Sequence, residues 1–502
     1  MRVTIFEIII KSVFMKKLKM VFAALFLTLI ANAQFISSFH PDQEPTNNIQ
    51  YFKPSGNLFV GDCIPFYHDG TYYLYWLLDS AHHSALNGLG GHQWTLSTSN
   101  DLKTWKHHPV VLGIDEDWEK SICTGSVVYH DKKFYAFYAT RLIDAEGRVN
   151  EQLSYAISED GIHFNKQKPN PFYTSAPGYD KRNFRDPKVI VDKDGTFHLF
   201  VSSALDHAFT RENGTMVHLT SKDLKTWKVN DPLIYGQADV PECPDYFLWN
   251  GWYYLVYGRS GNTYYLKSRN PYGPWEYPRY QALDEEWVNV AKTAQFNNRR
   301  IAAGWIPSRK DNKDGGHEIF GGSIVLRELT QEKDGTLNTG LPVEGLPGTE
   351  ASLTLTGIPG PHVTKNNASS YTLNVANGLD AVFFENVPAD CYITFDMEAS
   401  SITEDWGLYL RGNKNNEGGY KLKFSGVDRR VELAGTGINA VEDLFKKTKV
   451  QIVMQGDIID VCIGSKRCVV NRLIEQKGSV LGLFAKHGKV TFSNLKISPL
   501  KP

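Results

Sequence analysis

Three acidic residues stand at matching points of a repeated pattern in this 502-residue chain. Asp62 precedes the run Pro65-Phe66-Tyr67, Asp186 precedes Val189-Ile190-Val191, and Glu242 precedes Tyr246-Phe247-Leu248. Thr124-Gly125-Ser126 holds the corresponding place before Val127-Val128-Tyr129. Carboxylates gathered in one place repel each other, so a cluster of them points to a metal or a reaction. Cleavage of a glycosidic bond needs such a pair. One carboxylate stays ionised as nucleophile or base, and the other holds a proton for the leaving oxygen. Any one of these residues alone would be read as a turn cap. Three at equivalent repeat positions are read as the catalytic set.

The elements that must position them are short strands. An apolar strand, a tight turn and an aromatic strand recur five times between residues 62 and 340. They begin near Pro65, Val127, Val189, Tyr246 and Gln295. Most copies are followed by a strand ending in Ser-x-Asp-Leu-x-x-Trp, as in Ser99 to Trp105 and Ser221 to Trp227. Two hairpins make a four-stranded antiparallel sheet, and five such sheets arranged radially make a β-propeller. Helical periodicity is nearly absent. The expected fold is all-β, a five-bladed β-propeller over residues 34–340 followed by a C-terminal β-sandwich. A Gly/Pro-rich linker at 341–361 separates the propeller from the sandwich at 362–502. A packing and stabilising role for the sandwich is favoured over sugar binding.

With 54 Lys and Arg against 55 Asp and Glu, the net charge is −1. That leaves no basic footprint for nucleic acid and no charged half for a membrane surface. Residues 1–33 read as a signal peptide: a basic stretch at Met15 to Lys19, an apolar run from Val21 to Ile30, and small residues before a cut near Ala33. The expectation is an exported protein, periplasmic or extracellular, without membrane insertion; its oligomeric state stays open. Six cysteines are too few for a disulfide framework, and buried thiols are favoured over a Cys63–Cys243 bridge. The loop with His82, His83 and His92 lacks metal-ligand spacing. A rim loop touching substrate is favoured over a metal site, and a merely solvated loop over both, so no metal site is expected. Among the aromatics, Trp76, Trp94 and Trp118 are candidates for sugar stacking, although each alone is more often core.

The residues also resemble a known family. Asn183-Phe184-Arg185-Asp186-Pro187-Lys188 is similar to the Arg-Asp-Pro motif of glycoside hydrolase family 32, the invertases, levanases and inulinases. Glu242-Cys243-Pro244-Asp245 resembles its Glu-Cys-Pro motif, and Thr124-Gly125-Ser126 its Ser-Gly-Ser segment. Trp94 through Leu102 to Trp105 resembles the strand carrying Ser-x-Asp-Leu-x-x-Trp. The resemblance implies Asp62 as nucleophile, Glu242 as acid/base and Asp186 as transition-state stabiliser. Arg185, Trp94, Thr124, Ser126 and Trp76 are the expected substrate-binding residues. It also implies retention of configuration, with the two reacting carboxyls roughly 5–5.5 Å apart. The chain departs from the pattern around the nucleophile, where Phe59-Val60-Gly61-Asp62-Cys63 lacks both of the family's asparagines. Pro241 stands where a Trp normally precedes the Glu.

The reading is an exported retaining hydrolase of furanosides, most of all β-fructosides in an oligo- or polysaccharide, with no cofactor. Two rivals remain: a furanosidase of arabinofuranosidase-like specificity, and a glycan-binding protein without turnover.

Overall fold

The computed structural model describes residues 46–207, 210–284, 287–413 and 418–501. The leader expected at 1–33 lies outside the described residues. Among the described residues no helix is long and apolar enough to cross a membrane.

Five antiparallel blades follow one another along the chain, each begun by an inner strand, and the first and fifth join into one sheet where Val60 pairs with Gly322. The inner strands are Leu58–His68, Ser121–His130, Arg185–Val191, Glu242–Trp249 and Asn289–Phe296. Each pairs with the strand after it, and the first and fourth turns are Asp69-Gly70 and Asn250-Gly251. Both residues of each turn have positive φ, 45° and 77° in both cases. That is the backbone a two-residue hairpin needs to follow strand twist, and it explains the Asp-Gly and Asn-Gly pairs. Farther out, the Ser-x-Asp motif caps its own turn. The Ser99 hydroxyl accepts the Leu102 N–H, and Asp101 Oδ1 accepts those of Lys103 and Thr104. Ser158/Asp160 and Ser221/Asp223 repeat this arrangement. In the fourth blade the motif reads Ser268-Arg269-Asn270 and loses the Asp. There the sheet has three strands plus two isolated bridges, Tyr264 to Ala282 and Lys267 to Glu276.

The first and last blades are joined by the chain that precedes both. Thr46–Asn47 pairs with Thr104–Leu112 of the first blade. Tyr51 N–H then donates to Ile324 O of the fifth, and Ile324 N–H returns a bond to Phe52 O.

The remaining strands, from Ile358–Pro359 onward, form one connected sheet system around a separate hydrophobic cluster that includes Phe395, Trp406 and Phe492. The long strand Val480–Pro499 crosses it. Its first half pairs with Asp405–Gly412 and its second with Cys391–Ala399. The two parts of the chain meet across a seam of buried ions, where Arg327 binds Asp284 at 2.7 Å and Asp460 at 2.7 Å.

Candidate active site

All five inner strands break register at one level. In each, two residues oppose a single residue of the partner strand: Gly61-Asp62, Cys123-Thr124, Asp186-Pro187, Cys243-Pro244 and Val290-Ala291. A β-bulge re-aims side chains and ends regular pairing, so five of them at one level build a mouth. Asp186, Cys243 and Val290 hold φ of 54°, 50° and 41°, a left-handed conformation uncommon for residues with a Cβ and associated with functional sites.

This alignment corrects the expectation that the three carboxylates share one position. Glu242 is the last paired residue before its bulge, Asp186 the first bulge residue and Asp62 the second. Successive offsets stagger three carboxyls around the mouth. They line one cavity of about 370 Å³ together with Cys243, Arg185, Arg141, Glu151, Trp305 and Phe320.

Within it, the Trp305 indole N–H donates to Asp62 Oδ1 at 3.1 Å. The Cys243 thiol lies 3.5 Å from Asp62 Oδ2 and 3.6 Å from Asp186 Oδ2. Burial keeps that thiol well above its usual pKa, so it remains an S–H donor to both carboxyls. The Cys243 backbone N–H also donates to Asp186 Oδ2, at 3.0 Å. Arg185 Nη2 donates to Glu242 Oε1 at 3.0 Å, and its Nε lies 3.6 Å from both Asp186 and Glu151. Burial raises the Asp186 carboxyl to about 7 despite the Arg185 charge beside it. Glu242 is also raised, by burial against the cavity wall and against the same pull from Arg185.

Below the mouth, residues just past the bulges link the inner strands to one another. Lys188 pairs with Asp245 at 2.7 Å, and Asp245 also accepts the Thr293 N–H and hydroxyl. Lys292 reaches from the fifth blade to the second, donating to Gly125 O at 2.7 Å and Thr124 Oγ1 at 3.3 Å. This buried cation beneath the carboxyls pulls the Asp186 pKa down.

Of the expected substrate-binding residues, Thr124 and Arg185 line the cavity. Trp76, Trp94 and Ser126 do not. Both indoles are fully buried, Trp76 donating to Ser97 Oγ and Trp94 to Cys123 O, so neither presents a face to a sugar. Ser126 joins two blades instead, donating to Pro187 O and accepting the Val189 N–H. All six cysteines are free, which removes the Cys63–Cys243 bridge.

Sequence reasoning missed several cavity residues. Arg141 and Glu151 are cross-strand partners in the second blade, joined at 2.7 Å. Their offset from the mouth was readable only once the hairpin register was known. His83 and His92 come from the rim loop. His92 Nε2 lies 3.0 Å from buried Asp79 and 3.2 Å from His83 Nδ1, and His83 Nε2 lies 2.8 Å from Arg141. Burial, then His92 and Arg141, lower His83 to about 4. Phe320 is placed by an irregularity in the fifth blade, where register slips between Pro307 and Ser308. Its ring packs 4.9 Å from Trp305 and 4.8 Å from His92. A Cβ on Gly61 would lie 2.9 Å from that ring, so the missing side chain at 61 and the presence of Phe320 are two sides of one packing choice.

Comparison with known proteins gives the same outline. Residues 52–338 match the profile of the glycosyl hydrolases family 32 N-terminal domain. A sucrose-6-phosphate hydrolase of Escherichia coli is 26% identical over 280 residues, covering 51% of this chain and 57% of the relative. A levanbiose-producing levanase of Bacillus subtilis is 23% identical over 487 residues, covering 86% and 87%. The chain thus spans little more than half the length of the first of these relatives. Among solved structures, fructan 1-exohydrolase IIa from Cichorium intybus superposes with a TM-score of 0.69 at 17% identity, covering 91% of this chain and 97% of that one. Sucrose-6-phosphate hydrolase from Lactobacillus gasseri gives 0.67 at 17%, covering 94% and 96%. At these identities the superpositions establish the fold, a five-bladed propeller followed by a sandwich.

Proposed function

The chain belongs to glycosyl hydrolase family 32, and from that premise we propose that it hydrolyses β-fructofuranosides with retention of configuration. The convergence of Asp62, Asp186 and Glu242 on one cavity carries this reading. Asp62, oriented by the Trp305 N–H and the Cys243 thiol, attacks the anomeric carbon. Glu242, whose raised pKa keeps a proton available, donates it to the leaving oxygen. The covalent glycosyl-enzyme is then hydrolysed by water, with Glu242 now acting as base. Asp186, with a pKa near neutrality, offers a hydrogen bond to a ring hydroxyl in either protonation state. Arg185 fixes Glu242 through its rigid donor fork.

The cavity also suggests which fructosides. Among the described residues its lining holds five carboxylates, Asp62, Glu151, Asp186, Glu242 and Glu318, and two guanidiniums, Arg141 and Arg185. Carboxyls outnumber guanidiniums there even when Glu242 carries its proton, which favours neutral sugars over phosphorylated ones. Residues 34–340 serve as the catalytic unit and 362–502 as the sandwich. The leader pattern ahead of Gln34 supports action outside the cytoplasm.

The test is sugar release from sucrose, sucrose 6-phosphate, levan, inulin and arabinan, with Asp62→Asn in parallel and the product anomer followed by NMR. Release of β-fructose from the neutral fructosides, absent in the variant, is the expected result. Release from arabinan alone would retain the mechanism and replace the sugar. Binding without release on every substrate would leave a glycan-binding protein.

A further inference from the structure

The wall of the cavity opposite Arg185 comes from one hairpin, formed by Arg299–Arg309 and Glu318–Gln331. It supplies Trp305, which holds Asp62, and also Pro307, Glu318, Ile319 and Phe320. The sandwich grips this hairpin at three heights. At the base, Arg472 donates from Nε to Pro307 O at 2.8 Å and from Nη2 to Ile306 O at 3.3 Å and Ser323 Oγ at 3.0 Å. Its charge is paired with Asp457 at 2.6 Å. Higher up, Arg309 donates to Arg472 O at 2.7 Å and to Asn471 Oδ1 at 2.7 Å. At the tip, Asp314 accepts the Ile474 N–H and the Tyr420 hydroxyl, both at 2.6 Å.

The position of the lowest grip matters most. Pro307 pairs with Gly322, and Ser308 with Ile319. Phe320 and Gly321 are therefore extra residues with no partner across the hairpin. Gly321 adopts φ of 83°, and a Cβ there would lie 2.7 Å from Phe59 and 2.8 Å from Asp79. This slip turns Phe320 into the cavity, and Arg472 holds both strands immediately beside it, through the Ile306 and Pro307 carbonyls on one and the Ser323 hydroxyl on the other. Three charge-assisted bonds beside the bulge restrain its approach, because each has a required direction.

We propose that Arg472 is a positioning residue for the active site: by fixing the register slip at Pro307 it sets the aromatic wall of Trp305 and Phe320 against Asp62, which makes the sandwich a working part of catalysis. This rests on the reading of the cavity as a fructosidase site.

The experiment compares two seams of the same interface in the full chain. Arg472→Leu removes the grip on the slip, whereas Asp460→Asn weakens the seam ion cluster, which touches no cavity residue. Both lower the melting temperature. At a temperature where both are folded, Arg472→Leu is expected to lose about 10- to 100-fold in kcat/KM, the scale of a displacement near 1 Å. Asp460→Asn should stay within about twofold of wild type, since distant sites with no shared partners act independently. Arg472→Lys, which keeps the charge without the fork, should recover part of the loss. Hydrogen exchange over residues 305–323 should rise in Arg472→Leu and stay unchanged in Asp460→Asn. If Arg472→Leu does not fold, Asp314→Ala at the hairpin tip is scored in the same two assays. Wild-type kinetics together with wild-type exchange in the grip variants would overturn the proposal. An inactive wild type would instead refute the fructosidase reading, and the exchange arm would still decide whether the sandwich holds the wall.

Discussion

Two clusters of buried charge differ in balance, although burial raises a carboxyl in each, Asp460 at the seam and Asp186 at the mouth. At the seam between propeller and sandwich, Arg327 binds Asp284 and both oxygens of Asp460, and the Tyr51 hydroxyl adds a bond to Asp460 at 2.8 Å. Arg467 lies close enough for Asp284 to favour its charged form. Two carboxylates face two guanidiniums. At the propeller mouth five carboxylates share two guanidiniums, with Lys292 beneath them. Asp186 is raised to about 7 there, and Glu242 is raised as well. A balanced cluster locks two bodies together. An unbalanced one keeps protons mobile near neutrality and leaves acceptors free for a substrate.

The largest expected effects come from removing the groups proposed to react at the mouth. Asp62→Asn and Glu242→Gln should each lower kcat on the order of 10⁴-fold or more with unchanged melting temperature. If either variant keeps a tenth of wild-type activity, the mouth is not the unbalanced reaction site that the comparison requires. Next is the seam. Arg327→Met leaves buried Asp460 without its guanidinium and Asp284 with only Arg467 nearby, and should cost about 3–5 kcal/mol in chemical denaturation, with kcat and KM near wild type while the protein is folded. A stable Arg327→Met variant would remove the contrast from the other side.

A third prediction sharpens the contrast through pH. The folded state raises Asp186 above its unfolded pKa, so between the two values the folded chain binds more protons than the unfolded one. This contribution therefore weakens stability as pH rises from about 4 to about 7. Asp186→Asn cannot be charged. It should be more stable than wild type at pH 8 by about 1–3 kcal/mol, with the gain fading towards pH 4, and should be almost inactive. Denaturation at both pH values measures this. A variant less stable than wild type at pH 8 would mean that the mouth is balanced after all.

Much of this organisation was legible in the residues. Alternation and the Asp-Gly and Asn-Gly turns gave the inner hairpins, and Ser-x-Asp gave the outer ones. Tyr72, Leu74 and Trp76 enter one core cluster and Tyr75 and Leu77 another, so this strand is buried on both faces and Trp76 had no exposed side to occupy. The bulges were not legible. A bulge adds a residue without changing composition, so carboxylates at three successive offsets read as one position. Arg141, Glu151 and Phe320 were missed for a related reason: their neighbours are cross-strand partners and a register slip, which only the paired sheet specifies.

The smallest effect concerns space rather than charge. At the seam, side chains interlock through hydrogen bonds. At the mouth, the Phe320 ring fills room left by the missing side chain of Gly61, with Leu77 Cβ at 3.2 Å on the other side of that space. Gly61→Ala must push the ring aside, and Phe320→Ala must leave a gap beside Trp305. Each single change should raise KM by about 5- to 10-fold, worth roughly 1 kcal/mol. The double variant should be less impaired than the product of the two, because the added methyl group then meets no ring. Coupling of about 1 kcal/mol in such a cycle would identify the pair as one packing unit. Simple additivity would place Phe320 out of reach of residue 61 and leave the departure at Gly61 to be explained by the sugar alone.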